Sequence, residues 1–175
     1  MRKLALAYFL ILLLGGCTQR AVIKSPMPPG RLAYSPGDKI RIIESADGAY
    51  GTHTYRGSGR IVAGRVLAAL QARYADVRVL PTTNESDALA SCRSEQARFL
   101  IEPSILHWED RATPWSGIPD RLQVQLTLRD VASNAVANSL VFEATSGSFV
   151  FVDRAPEALL DKAFERAVVD LLELR

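Results

Sequence analysis

Residues Arg121 to Asp130 alternate without a break: Leu122, Val124, Leu126 and Leu128 interleave with Gln123, Gln125, Thr127 and Arg129. A period of two over that length is a β-strand with one apolar and one polar face. One buried face and one wet face argue for antiparallel neighbours, since strands of a parallel sheet are covered on both sides and read as unbroken apolar runs. Ala132-Ser133-Asn134-Ala135 follows as a turn in which Asn134 can take the left-handed conformation. Val136 to Ala144 then returns as the next strand.

The rest of the chain is fitted to that meander. Lys39 to Glu44 alternates around Ile40 and Ile42, with Ile43 on the other face, and reads as the first strand. Ser45 to Gly59, rich in Gly, Thr and Tyr, is a loop. Ser58 is placed to cap a helix starting at Gly59 or Arg60. Val62, Val66, Leu70 and Tyr74, with Leu67 beside them, give that helix an apolar stripe to about Tyr74. Val77 to Leu80 is a short strand ended by Pro81, and Thr82 and Glu85 stand at capping-box spacing before a second helix. That helix turns Ala88, Leu89 and Cys92 one way and runs to about Gln96. Arg98 to Glu102 is a further strand, with Ile105 and Leu106 continuing it beyond Pro103. Ser146 to Asp153 is irregular. Pro156 suits the first turn of a last helix striped by Leu160, Ala163, Phe164, Ala167, Val168 and Leu171. The expected fold is α/β: a mixed five-stranded sheet with three helices in the order β-α-β-α-β-β-β-α. Right-handed crossovers set the first three strands parallel. The first and last helices cover the apolar face.

The start of the chain carries an address. Arg2 and Lys3 precede an unbroken apolar and aromatic run from Leu4 to Leu14. Eleven helical residues rise only ~16 Å, about half of a ~30 Å hydrocarbon core, so the run is a signal-peptide core and not a span. Leu14-Gly15-Gly16-Cys17 comes directly after it. This resembles the lipobox of bacterial lipoproteins. The resemblance implies cleavage between Gly16 and Cys17, and a diacylglyceryl thioether with an N-acyl chain on Cys17. Thr18, rather than Asp, follows the cysteine, which by the same resemblance implies the outer membrane, on its periplasmic face. Residues 1–16 are thus expected as leader, 17–38 as lipidated tether and 39–175 as one globular domain. Pro26, Pro28, Pro29 and Pro36 make the tether extended, with a reach of ~65 Å at polyproline spacing, enough for the domain to stand off the membrane.

The whole chain has 21 bases and 19 acids, and the loss of Arg2 and Lys3 equalises them. With no basic run either, nothing supports nucleic-acid binding. Once Cys17 is lipidated only Cys92 remains, which excludes an intramolecular disulfide and reads as a small buried hydrophobe.

Leu106 to Arg121 holds both tryptophans, one of the two histidines and two prolines. Three readings of it compete. As structure, Pro114, Gly117 and Pro119 turn the loop, Trp108 and Trp115 pack on the sheet edge, and Glu109, Asp110, Arg111, Asp120 and Arg121 pair among themselves. As a recognition surface, Trp and Arg are the residues that dominate binding hot spots, and rings beside carboxylates suit sugars, so the partner is an envelope protein or a glycan. As a catalytic site, His107, Glu109 and Asp110 supply an acid and a base and Arg111 a positive clamp. In a straight strand His107 and Glu109 share a face and Asp110 points away. No nucleophile elbow, cofactor fingerprint or helical metal-ligand pair accompanies them, so no enzyme, cofactor or metal is expected. Two lesser candidates are Gly57-Ser58-Gly59-Arg60, a possible phosphate cradle at a helix start, and a metal shared by His53 and His107.

Ile105-Leu106-His107-Trp108-Glu109-Asp110-Arg111-Ala112-Thr113, then Trp115-Ser116-Gly117 and Pro119-Asp120-Arg121, resemble the signature of an uncharacterised family of bacterial lipoproteins known only as a domain of unknown function. Tyr55 to Arg60, Thr82-Thr83 and Asp130 to Asn134 also resemble it, so the likeness spans about Lys39 to Leu172. It implies location and fold and no chemistry. The element order is similar to that of the amino-terminal domain of TolB and of curli-secretion-type lipoprotein domains.

Overall fold

The computed structural model describes residues 20–24, 35, 37–111, 118–147 and 155–172. Its strands are β1 (Arg20–Lys24), β2 (Ile40–Ile43), β3 (Ala49–Tyr50), β4 (His53–Thr54), β5 (Val77–Leu80), β6 (Phe99–Glu109), β7 (Arg121–Asp130) and β8 (Ala135–Thr145). The helices are α1 (Ser58–Gln71), α2 (Glu85–Ser94) and α3 (Lys162–Leu172). Six strands form one mixed sheet in the order β1-β8-β7-β6-β2-β5, and β3 and β4 pair separately. As the pattern of crossovers requires, β2 runs parallel to both β5 and β6, and β6, β7 and β8 form the antiparallel meander. Asn134 turns the β7–β8 corner at φ 56°. Asp130 Oδ1 ties that corner by accepting from the Ser133 amide and hydroxyl, each at 2.8 Å.

The sheet has two unlike faces. On one, Ile40, Ile42, Phe99, Ile101, Leu122, Val124, Leu126, Leu128, Leu140 and Phe142 meet the apolar stripes of α1 and α3. On the other, α2 covers only one corner, where Ala88, Leu89 and Cys92 pack on Ile43, Leu80, Leu100 and Val131. Cys92 is fully buried there, and burial pushes its thiol up to about 11. The rest of that face carries the half-buried polar rungs of β7, Gln123, Gln125 and Thr127.

Four local readings need correction. First, Arg20–Lys24 is not tether: it pairs antiparallel with β8 as a sixth strand, Arg20 opposite Thr145 and Lys24 opposite Val141. Arg-Ala-Val-Ile-Lys is a good edge sequence, with a basic residue at each end, and Lys24 reaches Glu143 at 2.7 Å. Second, the cap of α2 is Asn84, whose side chain accepts from the Asp87 amide at 3.1 Å, and Thr82 instead accepts from the Asn84 amide at 3.0 Å. Third, Pro156 opens a separate 3₁₀ turn (Pro156–Leu159), because Leu160 leaves the helical region at ψ 61° before α3 begins. Fourth, the presumed loop 45–59 contains the β3–β4 pair.

A buried arginine was also missed. Arg41 lies on the α2 side of β2, its side chain 2% exposed, with Asp76 at 2.9 Å and Glu95 at 2.6 Å. Burial works against its charge, and the two carboxylates outweigh burial and raise its pKa. Among the described residues no helix is long and apolar enough to cross a membrane.

Candidate functional site

The site is set by one irregularity in β6. The β6–β7 register slips between Ile105 and His107, so Leu106 is an extra residue with no partner. Before the bulge the odd-numbered residues Phe99, Ile101 and Ile105 face the α1–α3 core. After it the phase is reversed. Trp108, opposite Leu122, turns into the core and is 2% exposed. His107, opposite Gln123, and Glu109, opposite Arg121, turn to the open face.

Trp108 is therefore a packing residue. Gly48 lies against it so closely that a Cβ there would stand 2.7 Å from the Trp108 Cβ. The Tyr55 ring tilts against the indole at 6.4 Å, and the Tyr55 hydroxyl accepts from the Asp110 amide at 3.3 Å. The open face instead gathers charge around Glu109, whose side chain is 4% exposed. One oxygen meets His107 Nε2 at 2.8 Å and the other meets Arg111 Nε at 2.6 Å. Burial alone would raise the Glu109 pKa. The His107 hydrogen bond and the charges of Arg111, His107 and Arg121 overcome that, and its carboxyl titrates below its ordinary range. Tyr50 of the small hairpin closes over the group. Its ring meets His107 edge-on at 5.5 Å, and its hydroxyl accepts from Arg111 at 3.2 Å. Asp120 is buried and structural: its carboxylate accepts from the Arg111 amide at 2.7 Å, and its own amide donates to Ser146 Oγ at 2.9 Å.

The expected cluster thus divides. His107, Glu109, Arg111 and Arg121 come together, Asp110 is exposed beside them, Trp108 and Asp120 are buried in other roles, and Trp115 lies outside the described residues. Gly16 and Cys17 lie outside them too. Tyr50 and Tyr55 were missed, because nothing in residues 45–59 marks which ring will fold back over β6.

The Gly57-Ser58-Gly59-Arg60 segment is already occupied. Asp47 accepts from the Gly57 and Gly59 amides, both at 3.0 Å, so a carboxylate of the chain fills the positive end of α1. Those two amides, Gly59 first, hold the Asp47 carboxyl below its usual range. Ser58 does not cap the helix as expected. It is buried and accepts from the Gly48 amide at 2.8 Å. Gly59 has no alternative, since a Cβ would run into the Ser45 carbonyl oxygen. His53 packs edge-on to Tyr55 at 4.5 Å. No group of three or more His, Cys, Asp or Glu placed to hold a metal occurs among the described residues.

A mixed sheet with helices α1 and α3 on one face and a corner helix on the other defines a fold seen in solved proteins. PelC of Paraburkholderia phytofirmans, solved as a dodecamer, is similar at a TM-score of 0.62 and 21% identity, over 85% of this chain and 97% of that one. Protein XCC0632 of Xanthomonas campestris, of the DUF330 family, is similar at a TM-score of 0.47 and 13% identity, over 83% of this chain and 82% of that one. Lipoprotein GNA1162 of Neisseria meningitidis is similar at 0.46 and 11%, over 77% and 94%. No functionally curated protein matches the chain. Residues 32–171 match the family model described as a domain of unknown function (DUF4823), and the chain belongs to that family.

Proposed function

We propose that this protein is a lipoprotein of the bacterial envelope, anchored through Cys17 and facing the periplasm from the outer membrane, that acts by binding or assembly and not by catalysis. The observation that carries the proposal is Leu14-Gly15-Gly16-Cys17 placed directly behind the Leu4–Leu14 run. Each buried methylene of an anchor contributes ~0.8 kcal/mol, so three acyl chains make spontaneous release from a bilayer negligible. Thr18 after the cysteine supports the outer membrane.

The site chemistry supports the non-enzymatic half. Both Glu109 oxygens are committed to side chains of the same chain, His107 and Arg111, and its carboxyl is held low. A general base works best with a pKa near the operating pH, so Glu109 is poorly suited to that task. Trp108 is buried and offers no ring to a sugar. PelC, similar in fold, is a dodecamer, and self-assembly of this chain is one form the binding or assembly role can take.

The test is processing and fractionation. Globomycin is expected to accumulate an uncleaved precursor, labelled palmitate to enter the wild-type chain, and Cys17→Ser to abolish both labelling and processing. Unchanged processing and membrane fractionation of Cys17→Ser would overturn the anchor. Native mass spectrometry of the detergent-extracted protein tests assembly, and a monomer at every concentration would refute it.

A further inference from the structure

The register of the sheet determines how an anchor at residue 17 presents the domain. Arg20 lies opposite Thr145, Thr145 opposite Arg121, and Arg121 opposite Glu109. One transverse row therefore crosses β1, β8, β7 and β6 and ends at the Glu109 carboxylate. Three residues of extended chain span at most ~10 Å. The backbone of Cys17 thus stays within about that distance of Arg20, at one end of the row, while β1 is paired. The proline-rich residues lie after β1 in sequence and contribute nothing to the separation between lipid and sheet.

The surface at this end matches a bilayer interface. Arg20 and Arg121 of the row are exposed, and Ile118, three residues before Arg121, is an exposed apolar residue, 41% accessible. The acids are differently disposed. Glu109 and Asp120 are buried, Asp47 is committed to the start of α1, Glu143, two residues before Thr145, is paired with Lys24, and Asp110 is exposed. Guanidinium groups pair with phosphate in two-pronged hydrogen bonds, and basic side chains next to an anchor are drawn to anionic headgroups.

We propose that the Arg20–Thr145–Arg121–Glu109 end of the sheet, with Ile118, lies against the membrane surface, Arg20 and Arg121 engaging lipid phosphates. This rests on the Cys17 anchor proposed above. The domain is then held flush to the bilayer and upright on it. The β7–β8 turn points away, because β7 carries the chain about 30 Å from Arg121 to Asp130 at strand spacing.

The test uses the full lipidated protein in vesicles of phosphatidylethanolamine and phosphatidylglycerol containing a headgroup-attached quencher. Single cysteines are introduced by Ile118→Cys or, at the far turn, Ala132→Cys, and each is labelled with a fluorophore. Cys92, fully buried, stays unlabelled. The expected result is quenching at least fivefold stronger at position 118 than at 132. Equal quenching, or stronger quenching at 132, in protein that floats with the vesicles overturns the orientation while leaving the anchor intact. Protein that fails to float removes the anchor, and the orientation with it. Arg20→Ala combined with Arg121→Ala is expected to keep flotation and to halve the ratio of quenching at 118 to that at 132. An unchanged ratio overturns the phosphate contact.

Discussion

Replacing Arg111 by alanine takes the guanidinium partner from a buried anion. Glu109 then keeps His107 at 2.8 Å but loses Arg111 at 2.6 Å. A hydrogen bond to a charged group contributes ~1.5–3 kcal/mol. The Arg111 side chain is 44% exposed, so screening by water lowers its share to about 1–2 kcal/mol. Glu109→Gln removes the charge itself, and His107 and Arg111, both partly exposed, return to water, for a loss of about 1 kcal/mol. The double variant is expected to be no less stable than Glu109→Gln alone to within ~0.5 kcal/mol, since Arg111 has nothing left to neutralise. The pH dependence has a definite sign. The folded-state pKa of Glu109 lies below its ordinary 4.5, so its ionised pairing stabilises the fold fully above that value. That contribution is lost as pH falls through the depressed folded value, and wild type and Arg111→Ala should converge in stability there. Urea titrations followed by tryptophan fluorescence, at neutral pH and stepwise to about pH 3, measure all four members of the cycle. Strict additivity, or a loss in Arg111→Ala that persists undiminished at the acid end, would refute this account of the charge cluster.

Three further outcomes are expected. Trp108→Ala should destabilise the domain by about 3–5 kcal/mol in a denaturant titration, because a fully buried indole leaves a cavity in the main core, and a loss under ~1 kcal/mol would contradict its placement. Asp47→Ala should lose about 1 kcal/mol by uncapping α1. Since the Asp47 carboxyl is held below 3.8, that loss should be full at neutral pH and vanish as acid protonates the wild-type group, which a pH series of melting curves would show. Cys92, with its thiol pushed up to about 11, should resist iodoacetamide at pH 8 in native protein and react at once in urea, and prompt native labelling would place it elsewhere.

Much of the fold was legible because periodicity is a local property. The alternation of Arg121–Asp130 gave β7 within its observed bounds, and the four-residue recurrence of Val62, Val66 and Leu70 gave α1 and its buried face. Strand Arg20–Lys24 was not legible, since five exposed residues carry no inside and outside; only the open edge of β8 makes them a strand. The cap of α1 was misread for a similar reason. Ser58 had the right chemistry for a cap, but the helix starts at Ser58 itself, and Asp47, ten positions upstream of Gly57, takes the Gly57 and Gly59 amides at its start.

The site divides along the same line. By its residue types and order alone, the chain determined the α/β class, the α1, α2 and α3 stripes, and the closeness of His107 to Glu109, two positions apart on one strand. Tertiary structure alone decided which way Trp108 and Glu109 point. A single unpaired residue, Leu106, reverses the phase of β6, and its effect depends on the register of a neighbouring strand that no local pattern encodes.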